Sequence, residues 1–253
     1  DLAWVFRDHL HEPPSQYPWG EIPFASYCGV MGHEIRSSAG LGVGKTPVIP
    51  REAQSALFLH CERIFNQSEN LLSQRDAGSF GPSTEPMRDL RDACLYLLSI
   101  TSGMRNDEVI GIEVGAGRRE LRDGVEYCWV TSVEHKTGKG RVEYMVPPMT
   151  LKVVEVLERY SEPLRATLKE EVQALEASSA QVEDAAGRRD LVKPLNQARG
   201  DVQRVFLGVI YGKYNQITAL SGVASRVAML RLASKAGQEW KLSPHQCRRT
   251  YAR

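Results

Sequence analysis

GVEYCWVTSVEHKTGKGRVEYMVPP, residues 124–148, decides the fold class. It holds two runs rich in β-branched and aromatic residues, VEYCWVTSV at 125–133 and RVEYMVP at 141–147, around a turn containing TGKG. Such residues suit a pleated, half-buried surface and glycine supplies the turn, so the stretch reads as a β-hairpin. The flanking sequence has a different period. Upstream, TPVIPREAQSALFLHCERIF opens near Pro50 and sets Ala53, Leu57, Cys61 and Ile64 on one helical face. MRDLRDACLYLLSITSG carries a stripe of Leu90, Cys94, Leu97 and Leu98 and stops at Gly103. Downstream, LKVVEVLERY returns to helical spacing. Residues 162–206 read as a long polar helical stretch, with a narrow stripe of Leu164, Leu168, Val172 and Leu175. A breaker at Gly187 and a second helix ending near VQRVFLGVIYG predict an antiparallel helical hairpin. A last helix opens at Ser243, a good N-cap, with Pro244 in its first position. The expected class is mainly α with a small antiparallel β-sheet (α+β).

Composition narrows the function classes. The 253 residues, 42% hydrophobic and 25% charged, suffice for one sizeable domain or two small ones. No apolar run approaches the ~20 residues that cross a bilayer, and no signal-peptide pattern is visible. Cys28, Cys61, Cys94, Cys128 and Cys247 are widely spaced, which argues against a disulfide framework or a zinc site and fits a reducing cytoplasm. No metal and no cofactor are expected. Net charge is only +1, but it is unevenly spread. Residues 226–253 carry seven basic residues, Arg226, Arg231, Lys235, Lys241, Arg248, Arg249 and Arg253, against Glu239 alone. Residues 161–190 carry seven acids and four bases. A basic face that meets a polyanion explains this asymmetry, and so does a basic surface with no partner. Residues 1–46, rich in Pro, Gly and aromatics, read as an irregular linker or the remnant of an earlier domain, with 47–253 as the main domain. AGLGVGKT at 39–46 meets a permissive phosphate-loop pattern. That loop needs a buried strand before it and a helix after it, and Pro47 and Pro50 prevent the helix.

Three short stretches carry chemistry. In SPHQCRR, residues 243–249, His245 and Arg248 are three apart on a helix and share a face in its first two turns. Guanidinium offers a planar fork for two phosphate oxygens, and imidazole exchanges a proton near neutral pH. In TSGMRNDEV, residues 101–109, a small-residue turn delivers Arg105 to a helix start, and Glu108 is placed to hold its direction. In EHKTGKG, residues 134–140, Lys136 lies where strand meets turn and Lys139 lies within the turn. Taken singly, each has a plain alternative: a surface His–Arg pair, a local ion pair on a solvated helix, a solvated turn lysine.

Taken in order, Thr-Ser-Gly-Met-Arg with an acid three residues later, a hairpin Lys-Thr-Gly, and His-x-x-Arg-Arg-Thr resemble the tyrosine recombinase (phage integrase) family over roughly residues 47–253. The resemblance implies a recombinase catalytic domain in which 162–206 is an inserted helical hairpin. It matches Arg105, Lys136, His245 and Arg248 to catalytic positions and Glu108 to the supporting acid. Lys139 is a substitute for Lys136. Lys139, Arg226, Arg231, Lys235, Lys241 and Arg249 are expected to contact DNA. The implied activity is site-specific cutting and rejoining of double-stranded DNA through a 3′-phosphotyrosyl intermediate, by a homo-oligomer that assembles as a tetramer on paired sites. The implied setting is a mobile element in a bacterial or phage-borne, nucleoid-associated, cytoplasmic context, with no membrane partner. The family's nucleophilic tyrosine lies a few dozen residues beyond its second arginine, so it is expected past Arg253. Tyr251 is too near Arg248 and matches an aromatic packing position. Tyr160, Tyr211 and Tyr214 fall out of order. Two alternatives stay open: a DNA-binding protein or regulator that has lost cleavage, and a type IB topoisomerase.

Overall fold

The structure, a computed structural model, describes residues 46–134, 138, 140–182, 185–210 and 216–252, and of 185–190 the backbone alone. The chain divides into units 1–47 and 48–253. The expected linker and the AGLGVGKT loop lie, Thr46 and Pro47 apart, outside the described residues. Every described helix and strand belongs to the second unit. Its helices are α1 (Arg51–Asn66), α2 (Ser68–Asp76), α3 (Glu85–Ser102), α4 (Asn106–Ile110), α5 (Pro148–Gln181), α6 (Ala185–Asp201), α7 (Gly222–Lys235) and α8 (Pro244–Tyr251). Strands β1 (Gly117–Arg122), β2 (Val125–Glu134) and β3 (Gly140–Val146) form one antiparallel sheet, and β4 (Leu207–Ile210) pairs with β5 (Gln216–Ala219). The α+β class is as expected.

Helix α3 is the axis of the core. The sequence predicts a single apolar stripe on it, yet every residue from Leu90 to Ile100 is buried. The reason is tertiary, because α1, α5, α7 and α8 all pack against it. Its end is local chemistry. Gly103 takes φ +63°, the left-handed turn that stops a helix, as expected. The ring of Tyr251 from α8 lies on it so closely that an added Cβ would sit 2.3 Å from Tyr251 Cδ1. Gly103→Ala is therefore expected to lose about 2 kcal/mol in a urea melt, with backbone strain and ring displacement both contributing. Adding Tyr251→Ala should return the ring's share and leave the backbone's share, so a purely additive pair would refute the contact.

Helix α5 is one continuous rod where the sequence suggests a helix followed by an insertion. Leu164 and Leu168 belong to the main core, and Val172 and Leu175 pack on it. Pro163 lies inside this helix, so the carbonyl of Arg159 loses its usual N–H partner. Buried Arg75 of α2 supplies the missing donor: its Nη1 donates to Arg159 O at 3.1 Å and to Tyr160 O at 2.9 Å. Helix α6 returns along α5, so the helical hairpin holds. Two of its expected limits do not. The break falls after Gln181, and Gly187 lies within α6, since an interior glycine costs only about 1 kcal/mol. The second helix ends at Asp201, and part of VQRVFLGVIYG is strand β4. The Asp201 carboxylate accepts the Ala219 N–H at 2.9 Å, while Leu220 N–H donates to Phe206 O at 2.8 Å, drawing the buried run 205–207 into sheet pairing.

The hairpin at 125–146 forms with β2 and β3 in register, Cys128 opposite Val146 and Glu134 opposite Gly140. Strand β1, GRRELR, carries no apolar alternation that would predict it. It pairs with β2 along its whole length, and exposed charge pairs decorate it: Arg118 to Glu143, and Arg119 to Glu126 and, on α5, Glu155. Asp123 and Gly124, both at positive φ, make the tight turn into β2.

Candidate functional site

Arg105 follows the Gly103 turn and caps α4. Its backbone N–H donates to Glu108 Oε2 at 2.6 Å, and its Nη1 donates to Glu108 Oε1 at 2.8 Å. Glu108 thus fixes both the start of the helix and the direction of the guanidinium, as the three-residue spacing predicts. A second acid joins them. Arg105 Nη1 also donates to Glu134 Oε1 at 2.6 Å. Strand alternation explains why Glu134 arrives there: Cys128, Val130, Ser132 and Glu134 occupy the buried face of β2. Ser132 Oγ donates to the carbonyl of Glu108 at 2.6 Å, so β2 pins α4 as well. Helix α7 holds it from another direction, where Ser225 Oγ donates to Asn106 Oδ1 at 2.9 Å.

Arg248 comes to the same place from α8. Its Nη1 lies 3.8 Å from Glu108 Oε2, close enough for ion pairing but outside hydrogen-bond range. The Glu108 side chain is fully buried, whereas those of Arg105 and Arg248 are 29% and 36% exposed. Tyr144 of β3 stands near the Glu108 carboxylate, and its pKa is pushed up to about 12, first by burial and then by that carboxylate. One buried carboxylate therefore gathers two guanidinium groups and a backbone N–H. Glu134 and Tyr144 are not among the sequence candidates. Period-2 alternation along β2 was the available signal for Glu134; Tyr144 had none beyond its strand.

His245 sits one helical turn before Arg248 and is exposed. Helix α8 is anchored by buried Gln246 and Cys247, and Gln246 Oε1 accepts the Ser243 N–H at 2.8 Å. Thr250 Oγ1 accepts the Ile49 N–H at 3.1 Å, tying α8 to the start of the domain. Lys136 and Lys139 fall outside the described residues; in sequence, their connection begins directly after Glu134. The remaining basic candidates divide into two groups. Arg226 and Lys241 are exposed, Arg249 is partly so, and none makes an ion pair among the described residues. Arg231 instead pairs with buried Asp92, and Lys235 pairs with Glu85 at 2.5 Å and Asp89 at 2.7 Å. The basic excess of 226–253 is thus partly neutralised by acids of α3. Among the described residues no helix is long and apolar enough to cross a membrane, and no group of three His, Cys, Asp or Glu side chains is placed to hold a metal ion.

The site's chemistry follows from its free edges. Nη1 of Arg105 is held by two carboxylates, while Nε and Nη2 make no hydrogen bond among the described residues. The fork of Arg248 keeps its donors as well. Two acids balance two bases here, so attraction for an anion comes from aimed donors rather than net charge. Compared with family models, with curated proteins and with solved structures, the chain matches none of them.

Proposed function

We propose that this chain is the catalytic domain of a DNA strand-transferring enzyme of the tyrosine recombinase kind. The convergence of Arg105 and Arg248 on the carboxylate of Glu108 carries the proposal. In such a transfer, a tyrosine hydroxyl attacks a backbone phosphorus, forming a phosphotyrosyl bond as the bond to the 5′-oxygen breaks. The ester's energy is kept in the new bond, so religation needs no nucleotide. Negative charge spreads over the non-bridging oxygens at the transition state. Two guanidinium forks held in advance by buried acids stabilise it without reorganising. His245, on the face of Arg248, is suited to the proton of the attacking hydroxyl. Lys136 is suited to the leaving 5′-oxygen. The activity also requires a tyrosine nucleophile, and assembly on two paired sites is what separates a recombinase from a topoisomerase.

Duplex binding by residues 1–253 tests the DNA partner. With about five phosphate contacts, raising salt from about 50 to 200 mM should weaken affinity a few hundred-fold. Arg226→Gln and Lys241→Gln should each lower the logarithmic salt slope by about one. Lys235→Gln should leave the slope unchanged, because its ammonium is already bound to Glu85 and Asp89. An affinity indifferent to salt would remove DNA as the partner.

A further inference from the structure

A second basic site lies where α3, α7 and the β4–β5 pair meet. It is a cavity of about 400 Å³ whose lining includes Arg88, Arg91 and Arg231. Its other wall is apolar, with Val209, Ile210 and Val227 among its residues. This volume and this mixture of an apolar wall with a few convergent polar groups are typical of small-molecule sites.

The charge balance inside is uneven. Asp92, beneath the cavity, is buried and serves two of the three guanidinium groups. Its Oδ1 accepts from Arg91 Nη2 at 2.9 Å and Nε at 3.2 Å, and its Oδ2 accepts from Arg231. Arg91 is itself buried, and its Nη1 reaches only the distant Leu207 carbonyl, at 3.5 Å. Gly208 makes room for that Nη1, since a Cβ there would lie 2.7 Å from it. Arg88 makes no ion pair among the described residues, and its Nε is buried without a hydrogen-bond partner. The nearby acids Glu85 and Asp89 are held by Lys235. Counting Lys235, four cationic groups meet the three carboxylates of Asp92, Glu85 and Asp89, so one positive charge is left over beside a partly desolvated cavity, which an anion would relieve. Helix α7 begins at the rim: Ser221, its N-cap, and Ala224 line the cavity, and Ser221 Oγ accepts the Ala224 N–H at 3.1 Å. The helix dipole therefore adds to the attraction. Beyond the rim, the apolar wall continues into exposed Ile210, Val223 and Val227.

We propose that this cavity binds a small amphipathic acid, with its carboxylate or phosphate among Arg88, Arg91 and Arg231 and its apolar body against Val209, Ile210 and Val227. Titration calorimetry on the 253-residue chain, without DNA, would use octanoate, octyl phosphate and inorganic phosphate; the outcome is independent of the DNA proposal. Saturable one-to-one binding of octanoate or octyl phosphate is expected, at least tenfold tighter than inorganic phosphate. The better of the two octyl probes identifies the head group. Arg88→Gln, which breaks no ion pair, should weaken that binding about tenfold. Val227→Glu, at an exposed position on the wall, should weaken it at least as much. Circular dichroism melts would show both variants folded. Absence of saturable binding up to about 10 mM, equal affinity for inorganic phosphate, or affinity unchanged in both variants would overturn the assignment.

Discussion

Asp92→Ala is expected to destabilise the domain by about 3–5 kcal/mol, the range seen when one member of a buried ion pair is removed. A domain's whole stability is about 5–15 kcal/mol, so the variant should be partly unfolded at moderate temperature. The position is unusual in its connectivity. Asp92 is 2% exposed on the central helix, bonded to its neighbour Arg91 and across to Arg231 of α7. Arg91 and the buried Tyr160 of α5 both donate to the carbonyl of Leu207. Alanine leaves the Arg91 guanidinium charged, buried and without its counter-ion, a worse state than never having built the pair. Asp92→Asn keeps an acceptor and should retain part of the loss. Glu85→Ala, which removes an exposed partner of Lys235, should be nearly silent, because solvent already screens that contact. Urea midpoints at constant slope measure all three. An Asp92→Ala domain within 1 kcal/mol of the parent would show that the network contributes little.

On the proposed function, Arg248→Ala should lower the yield of covalent protein–DNA adduct on a nicked suicide duplex by about 10²–10³, in a polypeptide that carries the nucleophilic tyrosine. Much of the DNA affinity should remain, because the other phosphate contacts are untouched. This arginine is the cleaner of the two probes. Its contact with Glu108 is long, at 3.8 Å, so its loss should barely move the melting temperature. Arg105→Ala should lose the adduct too, but it strips a hydrogen-bonded partner from both Glu108 and Glu134 and should lower stability as well. Lysine at 248 should not restore activity, since a point charge cannot engage two oxygens as the planar fork does. Adduct within threefold of the parent with Arg248→Ala would refute the role assigned to it. Tight DNA binding with no adduct from the parent itself would favour a protein that binds without cutting.

How far the sequence could lead depended on the range of the forces involved. Helix starts and stops were legible because they are settled within a turn of chain: Pro244 and Ser243 open α8, and Gly103 closes α3 with a positive φ that other residues resist. The β2–β3 hairpin was legible because period-2 alternation is local. The Arg105–Glu108 pair was legible for the same reason, as a cap residue and the residue three further on meet across the first turn of a helix. Strand β1 was hidden because it has no apolar alternation of its own and is held by the ladder to β2, with charge partners Glu126, Glu143 and Glu155 that only the fold brings near. Strand β4 was hidden because a short apolar run is equally compatible with a buried helix. Arg231 and Lys235 looked like free DNA ligands until α7 packed on α3 and brought them to acids more than a hundred residues away.

By itself, then, the sequence determined the periods, the caps, the α+β class and the short-range partnership of Arg105 with Glu108. Only the tertiary structure decided that Arg248 reaches the Glu108 carboxylate and Glu134 the Arg105 guanidinium, and that three arginines line one cavity, two of them paired with buried Asp92. The division has one physical cause. Backbone conformation is governed by neighbours along the chain, whereas ion pairing and desolvation depend on distance through space, which exists only once the helices have packed.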